Sequence, residues 1–202
     1  VESPLRNETD FGALGIHVGK LLKNEIPVFE GLSNYTEDDL KQLGAGLASS
    51  GMTAMFHYHD TSRKEKLEII SVEAKDIQDT IENLSTSSES PDLVFIGCPH
   101  CSLREIQRVA QALEGKEVKK GTELWVCTSS HVKERAKKHV DIIKGAGGHV
   151  LCGTCAVVTW IKKLGVETMM TNSAKTAYYA PTLNEVDATL APLTKCIDEA
   201  CK

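Results

Sequence analysis

The sequence predicts an α/β protein in which parallel sheets carry flanking helices. Short apolar runs typical of buried strands alternate with segments of helical periodicity, and several of those segments begin with capping residues. Such alternation gives a parallel sheet with right-handed crossovers. The chain has 202 residues, of which 41% are hydrophobic and 25% are charged. That length and composition can bury a core without disulfides or metal staples.

A polar, Pro-terminated segment over residues 85–91 predicts a linker between two parts of the chain. We therefore expect a smaller α/β segment over 1–88 and a parallel α/β domain over 89–202. In the first part, the predicted helices are 11–22, 36–49 and 74–84, and the predicted strands are 26–29 and 53–57. Thr36, with Asp39 three residues later, has the spacing of a capping box at a helix start.

The second part has the clearer pattern. Its predicted strands are 93–96, 123–127, 149–152 and 167–171, and its predicted helices are 102–113, 130–144 and a last one from near 185 or 190 to 201. Ser102 and Glu105 form a second capping-box pattern, and Ser130 is the predicted cap of the next helix. Because parallel strands all end at one edge of a sheet, we expect the loops after these strands to converge.

The charge balance disfavours a nucleic-acid partner. The chain carries 23 Lys and Arg against 28 Asp and Glu, which gives a formal net charge of −5. A protein that binds nucleic acid needs a basic face for the phosphates. No apolar run approaches the roughly 20 residues that cross a bilayer, so we expect no membrane partner. The chain begins at Val1 and not at Met, which is typical of a processed or shortened polypeptide.

The seven cysteines all lie in the second half of the chain. They are Cys98, Cys101, Cys127, Cys152, Cys155, Cys196 and Cys201. A secreted disulfide framework has an even number of cysteines spread through a shorter chain. The odd number and the two pairs with CxxC spacing predict reduced thiols in the cytoplasm, some of them metal ligands. Cys196 and Cys201 lie in the last predicted helix, where we expect them to pack in the core.

Four loops that follow predicted strands carry the candidate chemistry. They are Gly97-Cys98-Pro99-His100-Cys101-Ser102, Cys127-Thr128-Ser129-Ser130, Cys152-Gly153-Thr154-Cys155 and Asn172-Ser173-Ala174-Lys175. Three of the loops supply thiols, and the fourth supplies an amide, a hydroxyl and an ammonium group. Cys98 also lies close to a helix start, which favours the thiolate form that binds metals.

Several residues have two interpretations. His100 either bonds a leaving hydroxyl or caps the following helix, and His57 is either a functional or a core residue. The two CxxC pairs also suggest a protein of another class, a zinc-stabilised α/β binding domain. The separation between Cys101 and Cys152 is longer than the roughly 15–20 residues usual in a four-thiolate site, so the zinc site is the alternative and not our first choice.

Several segments together resemble the aconitase X family. They are Asp10-Phe11-Gly12-Ala13-Leu14-Gly15, Leu47-Ala48-Ser49-Ser50-Gly51, Gly97-Cys98-Pro99-His100, Gly153-Thr154-Cys155, Thr171-Asn172-Ser173-Ala174-Lys175 and Tyr179-Ala180-Pro181. The resemblance covers nearly the whole chain and corresponds to the C-terminal half of the family's large subunit. It implies an aconitase-like three-layer αβα architecture and an amino-terminal half that lies outside this sequence.

The resemblance implies an iron–sulfur hydro-lyase that dehydrates a small, partly anionic hydroxy acid. The expected substrate is 5-phosphomevalonate, an intermediate of isoprenoid biosynthesis by the mevalonate pathway, and the alternative is cis-3-hydroxy-L-proline. The family's large subunit pairs with a small swivelling subunit, which is expected to supply the catalytic base in a heterodimer. The cofactor is expected to be a 4Fe–4S or 3Fe–4S cluster, with 2Fe–2S as the remaining option. Residues 1–202 alone are expected to be inactive and to lack the cluster.

The resemblance also assigns roles to individual residues. By position, Cys98 and Cys155 are two cluster ligands, with Cys152 as an alternative, and the third ligand lies in the missing half. The implied substrate-binding residues are Asn172, Ser173, Lys175 and His57, and the implied catalytic residues are His100, Ser173 and Lys175. The chain departs from the family at Gly153, where Asp is usual, and over residues 58–63, where a Thr-Pro-Glu-Ala stretch is usual. The first departure removes a possible hydrogen-bond acceptor beside the cluster.

Overall fold

The structure is a computed structural model that describes residues 1–2, 4–58 and 67–201. Its internal contacts divide the chain into two compact units, Val1–Asn83 and Leu84–Lys202. Each unit has its own buried apolar cluster. None of the helices that the structure describes is both long and apolar enough to cross a membrane. The expected domains 1–88 and 89–202 stay a prediction, although the compact units meet close to that boundary.

The first unit combines a helix pair with a short parallel strand pair. Its elements are α1 (Glu8–Leu22), β1 (Val28–Phe29), α2 (Glu37–Gly51), β2 (His57–Tyr58) and α3 (Ala74–Leu84), which ends at the unit boundary. Strands β1 and β2 run parallel, with Val28 opposite His57 and Phe29 opposite Tyr58. The predicted capping box at the start of α2 is confirmed, because the Thr36 and Asp39 side chains each accept a hydrogen bond from the other's backbone N–H.

The strand predicted over 53–57 is shorter and begins later in the structure. Of the five predicted residues, His57 alone lies in β2. Met52 ends α2 in the left-handed conformation, and the Thr53 hydroxyl donates to the Lys23 carbonyl. These contacts hold the start of the segment 53–57 in a turn, so strand pairing begins only at His57.

Glycines allow α1 and α2 to pack with their backbones in direct contact. A Cβ atom on Gly15 would lie 2.2 Å from the Leu43 carbonyl oxygen, and one on Gly46 would lie 2.5 Å from the Gly12 carbonyl oxygen. Around this contact, Phe11, Leu14, Leu43 and Leu47 are buried in the apolar cluster of the unit. The glycines in the sequence pattern Asp10–Gly15 therefore have a packing role.

The second unit is a parallel sheet with helices, as the sequence predicts. Its strands are β3 (Leu93–Cys101), β4 (Glu123–Thr128), β5 (His149–Cys152), β6 (Thr168–Thr171) and β7 (Asp187–Leu190). Its helices are α4 (Leu103–Ala112), α5 (Ser130–Arg135), α6 (Lys137–Gly145), α7 (Ala174–Tyr179) and α8 (Leu193–Ala200). In the described part of the unit, the strands form one sheet in the order β5-β4-β3-β6-β7, and all neighbouring pairs are parallel.

The strand order creates a point at which the chain changes direction across the sheet. From β3 the chain moves outward through β4 to β5, and it then returns to place β6 on the opposite side of β3. Helices α4, α6 and α8 share a buried cluster with Val94 and Ile96 of β3 and Val126 of β4. In sheets of this kind, ligands bind outside the carboxyl ends of the two strands where the order reverses. Here those strands are β3 and β6.

Three features of the second unit differ from the sequence prediction. The helix predicted over 130–144 is divided at Ala136, and Ser129, not Ser130, caps its first part. The last helix begins only at Leu193, and β7 and α7 precede it as elements that the sequence analysis did not predict. Both are short, so neither shows enough hydrophobic periodicity to be recognised.

The predicted linker residues make regular contacts with β7. The Thr86 backbone N–H donates to the Ala188 carbonyl at 2.7 Å, and the Ala188 N–H donates to the Thr86 hydroxyl at 2.9 Å. The Thr189 hydroxyl donates to the Ser87 carbonyl at 2.7 Å. The first residues of segment 85–91 therefore run along the edge strand of the second unit.

The α1–α2 contact predicts that Gly15→Ala destabilises the first unit. The added methyl group would overlap the Leu43 carbonyl, and overpacking of this kind costs about 1–3 kcal/mol. Gly44→Ala is the matched control, because its Cβ would meet only the Phe56 ring at 3.3 Å and Ala favours a helix over Gly. Urea unfolding of both variants checks this. Equal stability of the two variants would contradict the close backbone contact.

Candidate functional site

A bulge at the carboxyl end of β3 carries the first candidate residue, Cys98. The pairing of β3 with β4 shifts register between Ile96 and Cys101, so the intervening residues project from the sheet. Gly97 adopts a φ of +113°, and a Cβ atom there would lie 2.2 Å from the Cys127 carbonyl oxygen. At the far side of the bulge, the Thr128 hydroxyl donates to the Cys101 carbonyl at 2.7 Å. The neighbouring strand thus fixes the position of Cys98.

Cys98 and Cys155 are in hydrogen-bond contact through their sulfur atoms. Cys98 is 5% exposed, and Cys155 is half-buried in the loop after β5. The hydrogen bond from Cys98 lowers the pKa of Cys155, with further help from the backbone N–H groups of Val158 and Val157 and from the charge of Lys175. The same hydrogen bond and burial raise the pKa of Cys98. The pair therefore favours a thiolate on Cys155 and the proton on Cys98.

Helix α7, which follows β6, brings two further groups to the thiol pair. The Thr176 hydroxyl faces the Cys98 sulfur, and the ammonium group of Lys175 acts electrostatically on both thiols. Ser173 caps this helix, because its Oγ accepts a hydrogen bond from the Thr176 backbone N–H at 3.1 Å. Loops that follow β3, β5 and β6 therefore meet at one place, as the sequence analysis expects.

Asn172 and Ser173 lie beneath this surface. Asn172 is 2% exposed, Ser173 is fully buried, and the Ser173 backbone N–H donates to the Thr171 hydroxyl at 3.2 Å. Their predicted contacts with substrate stay predictions. In the described structure, the Ser173 side chain serves as a helix cap that positions Lys175.

His100 connects the bulge to the loop that holds Cys155. Its exposed ring donates through Nε2 to the Thr154 carbonyl at 3.0 Å. The interpretation of His100 as a helix cap is wrong, because Ser102 caps α4 and forms the predicted capping box with Glu105. His57, by contrast, lies half-buried on β2 of the first unit, and residues 59–63 of the divergent loop lie outside the described residues.

The remaining thiols of the four loops do not join Cys98 and Cys155 in one ligand set. Cys101 packs in the apolar cluster against the helices, and Cys152 lines a groove with Lys133, Lys137 and Lys144. Burial first, and then the neighbouring Cys155 and Cys152, raise the pKa of Cys127 to about 12. These positions argue against a zinc site made from both CxxC pairs. Over residues 1–2, 4–58 and 67–201, no group of three or more His, Cys, Asp or Glu side chains is placed to hold one metal ion.

The sequence analysis missed Thr176 and the amides of Val157 and Val158. Thr176 follows Lys175 directly, but nothing in the local pattern distinguishes a threonine that faces a thiol from one that faces the core. The amides become donors because residues 156–158 form a 3₁₀ turn immediately after Cys155.

Comparison with known proteins gives consistent matches over both units. A family model described as the aconitase X second domain matches residues 1–82, and the aconitase X third domain matches residues 91–202. The crystal structure of Thermococcus kodakaraensis aconitase X in its holo-form superposes with a TM-score of 0.91 at 31% identity, over 98% of this chain and 53% of that one.

Curated relatives include two phosphomevalonate dehydratase large subunits. The protein from Methanocaldococcus jannaschii is 43% identical, over 86% of this chain and 46% of its own length. The protein from Methanothermobacter thermautotrophicus is 41% identical, over 89% of this chain and 47% of its own length. A more distant relative, the cis-3-hydroxy-L-proline dehydratase of Hypocrea jecorina, is 28% identical over the full chain and 38% of its own length. The chain thus spans about half the length of the large subunits it matches.

The thiol pair predicts that Cys155 reacts first with iodoacetamide in the native chain. The pKa of Cys155 is lowered from the roughly 8.5 that is ordinary for a thiol, so Cys155 is a thiolate at neutral pH. The thiolate is the form that attacks iodoacetamide. Cys152, which is also half-buried, is the internal comparison, and Cys127 should react only after unfolding. Mass spectrometry of digests labelled from mildly acidic to mildly alkaline pH measures each rate. Equal labelling of Cys155 and Cys152 across this range would count against the contact.

Proposed function

The chain belongs to the aconitase X family, and we propose that it forms part of a hydro-lyase that dehydrates 5-phosphomevalonate. The observation that carries the proposal is the contact between the Cys98 and Cys155 sulfurs beside Lys175, at the carboxyl edge where the strand order reverses. The relatives of highest identity support this substrate, because they are phosphomevalonate dehydratase large subunits. The more distant cis-3-hydroxy-L-proline dehydratase makes hydroxyproline the competing substrate.

Cys98 and Cys155 are suited to be two of the ligands of an iron–sulfur cluster. Two thiols from separate loops lie in contact, and thiolates are the soft ligands that select iron–sulfur clusters. The buried Thr176 hydroxyl faces one of these sulfurs and has no hydrogen-bond partner in the described part of the chain. We propose that a third thiolate comes from the part of the large subunit outside this sequence. A 4Fe–4S cluster held by Cys98, Cys155 and this third thiolate would supply a Lewis acid for the leaving hydroxyl.

Lys175 is the residue of this chain that we propose for binding the anionic substrate. Its side chain is half-buried beside the thiols, and no carboxylate of the described residues forms an ion pair with it. An ammonium group in this position binds a carboxylate or phosphate and stabilises negative charge that develops in the reaction. Ser173 caps the start of α7 and thereby fixes the position of Lys175.

His100 is the proposed contact for the leaving hydroxyl at the exposed rim of the site. The hydrogen bond from Nε2 to the Thr154 carbonyl fixes the orientation of its ring. The proton next to the substrate carboxylate must be removed by a base, and we propose that the small subunit supplies it. A small subunit is expected because the relatives are named large subunits. We propose a heterodimer in the reducing cytoplasm, where the free cysteines of this chain stay reduced.

The ligand assignment predicts distinct effects of three Cys→Ser variants on iron content. In the complete large subunit assembled anaerobically with its small subunit, Cys98→Ser and Cys155→Ser should lose most of the bound iron and sulfide. Cys152→Ser is the control and should keep them, because Cys152 faces the lysine-lined groove. Iron and sulfide analysis with visible absorption measures loading. Loss of iron from Cys152→Ser with retention in Cys155→Ser would reverse the assignment.

The proposed role of Lys175 predicts a loss of substrate affinity in Lys175→Met. Removing a hydrogen bond to a charged group costs about 1.5–3 kcal/mol, which corresponds to an increase in KM of about tenfold to a hundredfold. Lys144→Met is the control, because Lys144 lies in the last turn of α6 and lines a groove that includes neither Cys98 nor Cys155. Turnover of 5-phosphomevalonate and of cis-3-hydroxy-L-proline by the assembled enzyme tests both role and substrate. Turnover of hydroxyproline alone would overturn the substrate assignment, and an unchanged KM in Lys175→Met would overturn the role.

A further inference from the structure

The Thr176 hydroxyl is a buried polar group whose placement the fold of this chain does not explain. Thr176 is fully buried, and its Oγ1 has no hydrogen-bond partner among the residues that the structure describes. Buried polar groups are almost always hydrogen-bonded, so an exception calls for a specific explanation. The group that the hydroxyl does face is the Cys98 sulfur.

The position of this hydroxyl is fixed by backbone contacts and not by its own side chain. Thr176 lies in the first turn of α7, where its backbone N–H donates to the Ser173 hydroxyl at 3.1 Å. Its side chain is therefore held against Cys98 from the side of β6. On the other sulfur, the backbone N–H groups of Val157 and Val158 point to Cys155. Each thiol of the pair thus has a polar group of this chain beside it.

We propose that Thr176 is a positioning residue that donates a hydrogen bond from Oγ1 to the Cys98 thiolate when that thiolate holds an iron–sulfur cluster. This inference rests on the proposed function. In the free chain, the Cys98 S–H donates to Cys155. When both sulfurs bond to iron, the Cys98 proton is released to solvent, and the hydrogen bond between the two cysteines is lost. The Thr176 hydroxyl, which faces the Cys98 sulfur, then donates to it.

A donor at this position has a measurable electronic consequence. Hydrogen bonds to the sulfurs of a cluster stabilise its more negative, reduced form and so raise its reduction potential. Removing the hydroxyl should lower the potential and change the electron paramagnetic resonance spectrum, while the iron content stays near that of the wild type. If Thr176 had only a structural role, removing its hydroxyl would lower the melting temperature but leave the reduction potential and the electron paramagnetic resonance spectrum unchanged.

The test uses the complete large subunit with its small subunit, loaded anaerobically with iron and sulfide. Thr176→Val keeps the side-chain shape without the donor, Thr176→Ala is a second variant without the hydroxyl, and Thr176→Ser restores the donor. Thr189→Val is the matched control, because it removes a half-buried hydroxyl that bonds to Ser87, away from the thiols. Redox titration followed by electron paramagnetic resonance gives the potential of each protein.

We expect lower potentials in Thr176→Val and Thr176→Ala, and potentials near the wild type in Thr176→Ser and Thr189→Val. A wild-type potential in either hydroxyl-free variant would overturn this inference but not the proposed function, because the protein would still hold its cluster. If the wild-type assembly bound no iron and sulfide, the proposed function would fail together with this inference. Should Thr176→Val fail to assemble, Thr176→Ala gives the same comparison.

Discussion

The parallel pairing of β3 with β4 on one side and β6 on the other is the constraint on which the second unit depends. It places the bulge at the end of β3 next to the start of α7, which follows β6. The return of the chain from β5 then brings the loop of Cys155 to the same edge. No single loop forms the site. Three connections from different parts of the unit meet there because the central strand has neighbours that are distant in the sequence.

A small set of local interactions holds the two thiols in contact at this edge. Gly97 lets the bulge approach the backbone of β4, and His100 ties the bulge to the loop of Cys155. The resulting contact gives the two thiols different pKa values. Cys98 is buried and keeps its proton, whereas Cys155 accepts hydrogen bonds and loses its proton. Lys175 adds a positive charge beside both. A positive charge and a pair of thiols therefore lie side by side at this edge.

The sequence predicts those parts of this arrangement that depend on local patterns. The apolar run at 93–96 and the Ser102–Glu105 capping box are visible without a structure, and together they place Cys98 between a strand and a helix. The family resemblance selects Cys155 as its companion, and the structure brings these two thiols into contact. Elements of four to six residues such as β7 and α7 have too little periodicity to be recognised.

Side-chain direction at this edge is beyond local patterns, because it depends on strand register. The bulge after Ile96 turns Cys98 toward Cys155, whereas Cys101, three residues later, faces the helical layer. The separation of Cys152 from Cys155 has a similar origin, since Cys152 is the last residue of β5 and Cys155 follows it in an irregular loop. The placement of Thr176 beside Cys98 likewise depends on the end of another strand, which no spacing within α7 reveals.

The placement of the two sulfurs on separate connections has a consequence for the lifetime of the protein. A group bonded to both would close a covalent ring through α4, β4, α5, α6 and β5, and such a closure reduces the conformational freedom of the unfolded chain. Such bonds would thus protect this unit against local opening and proteolysis.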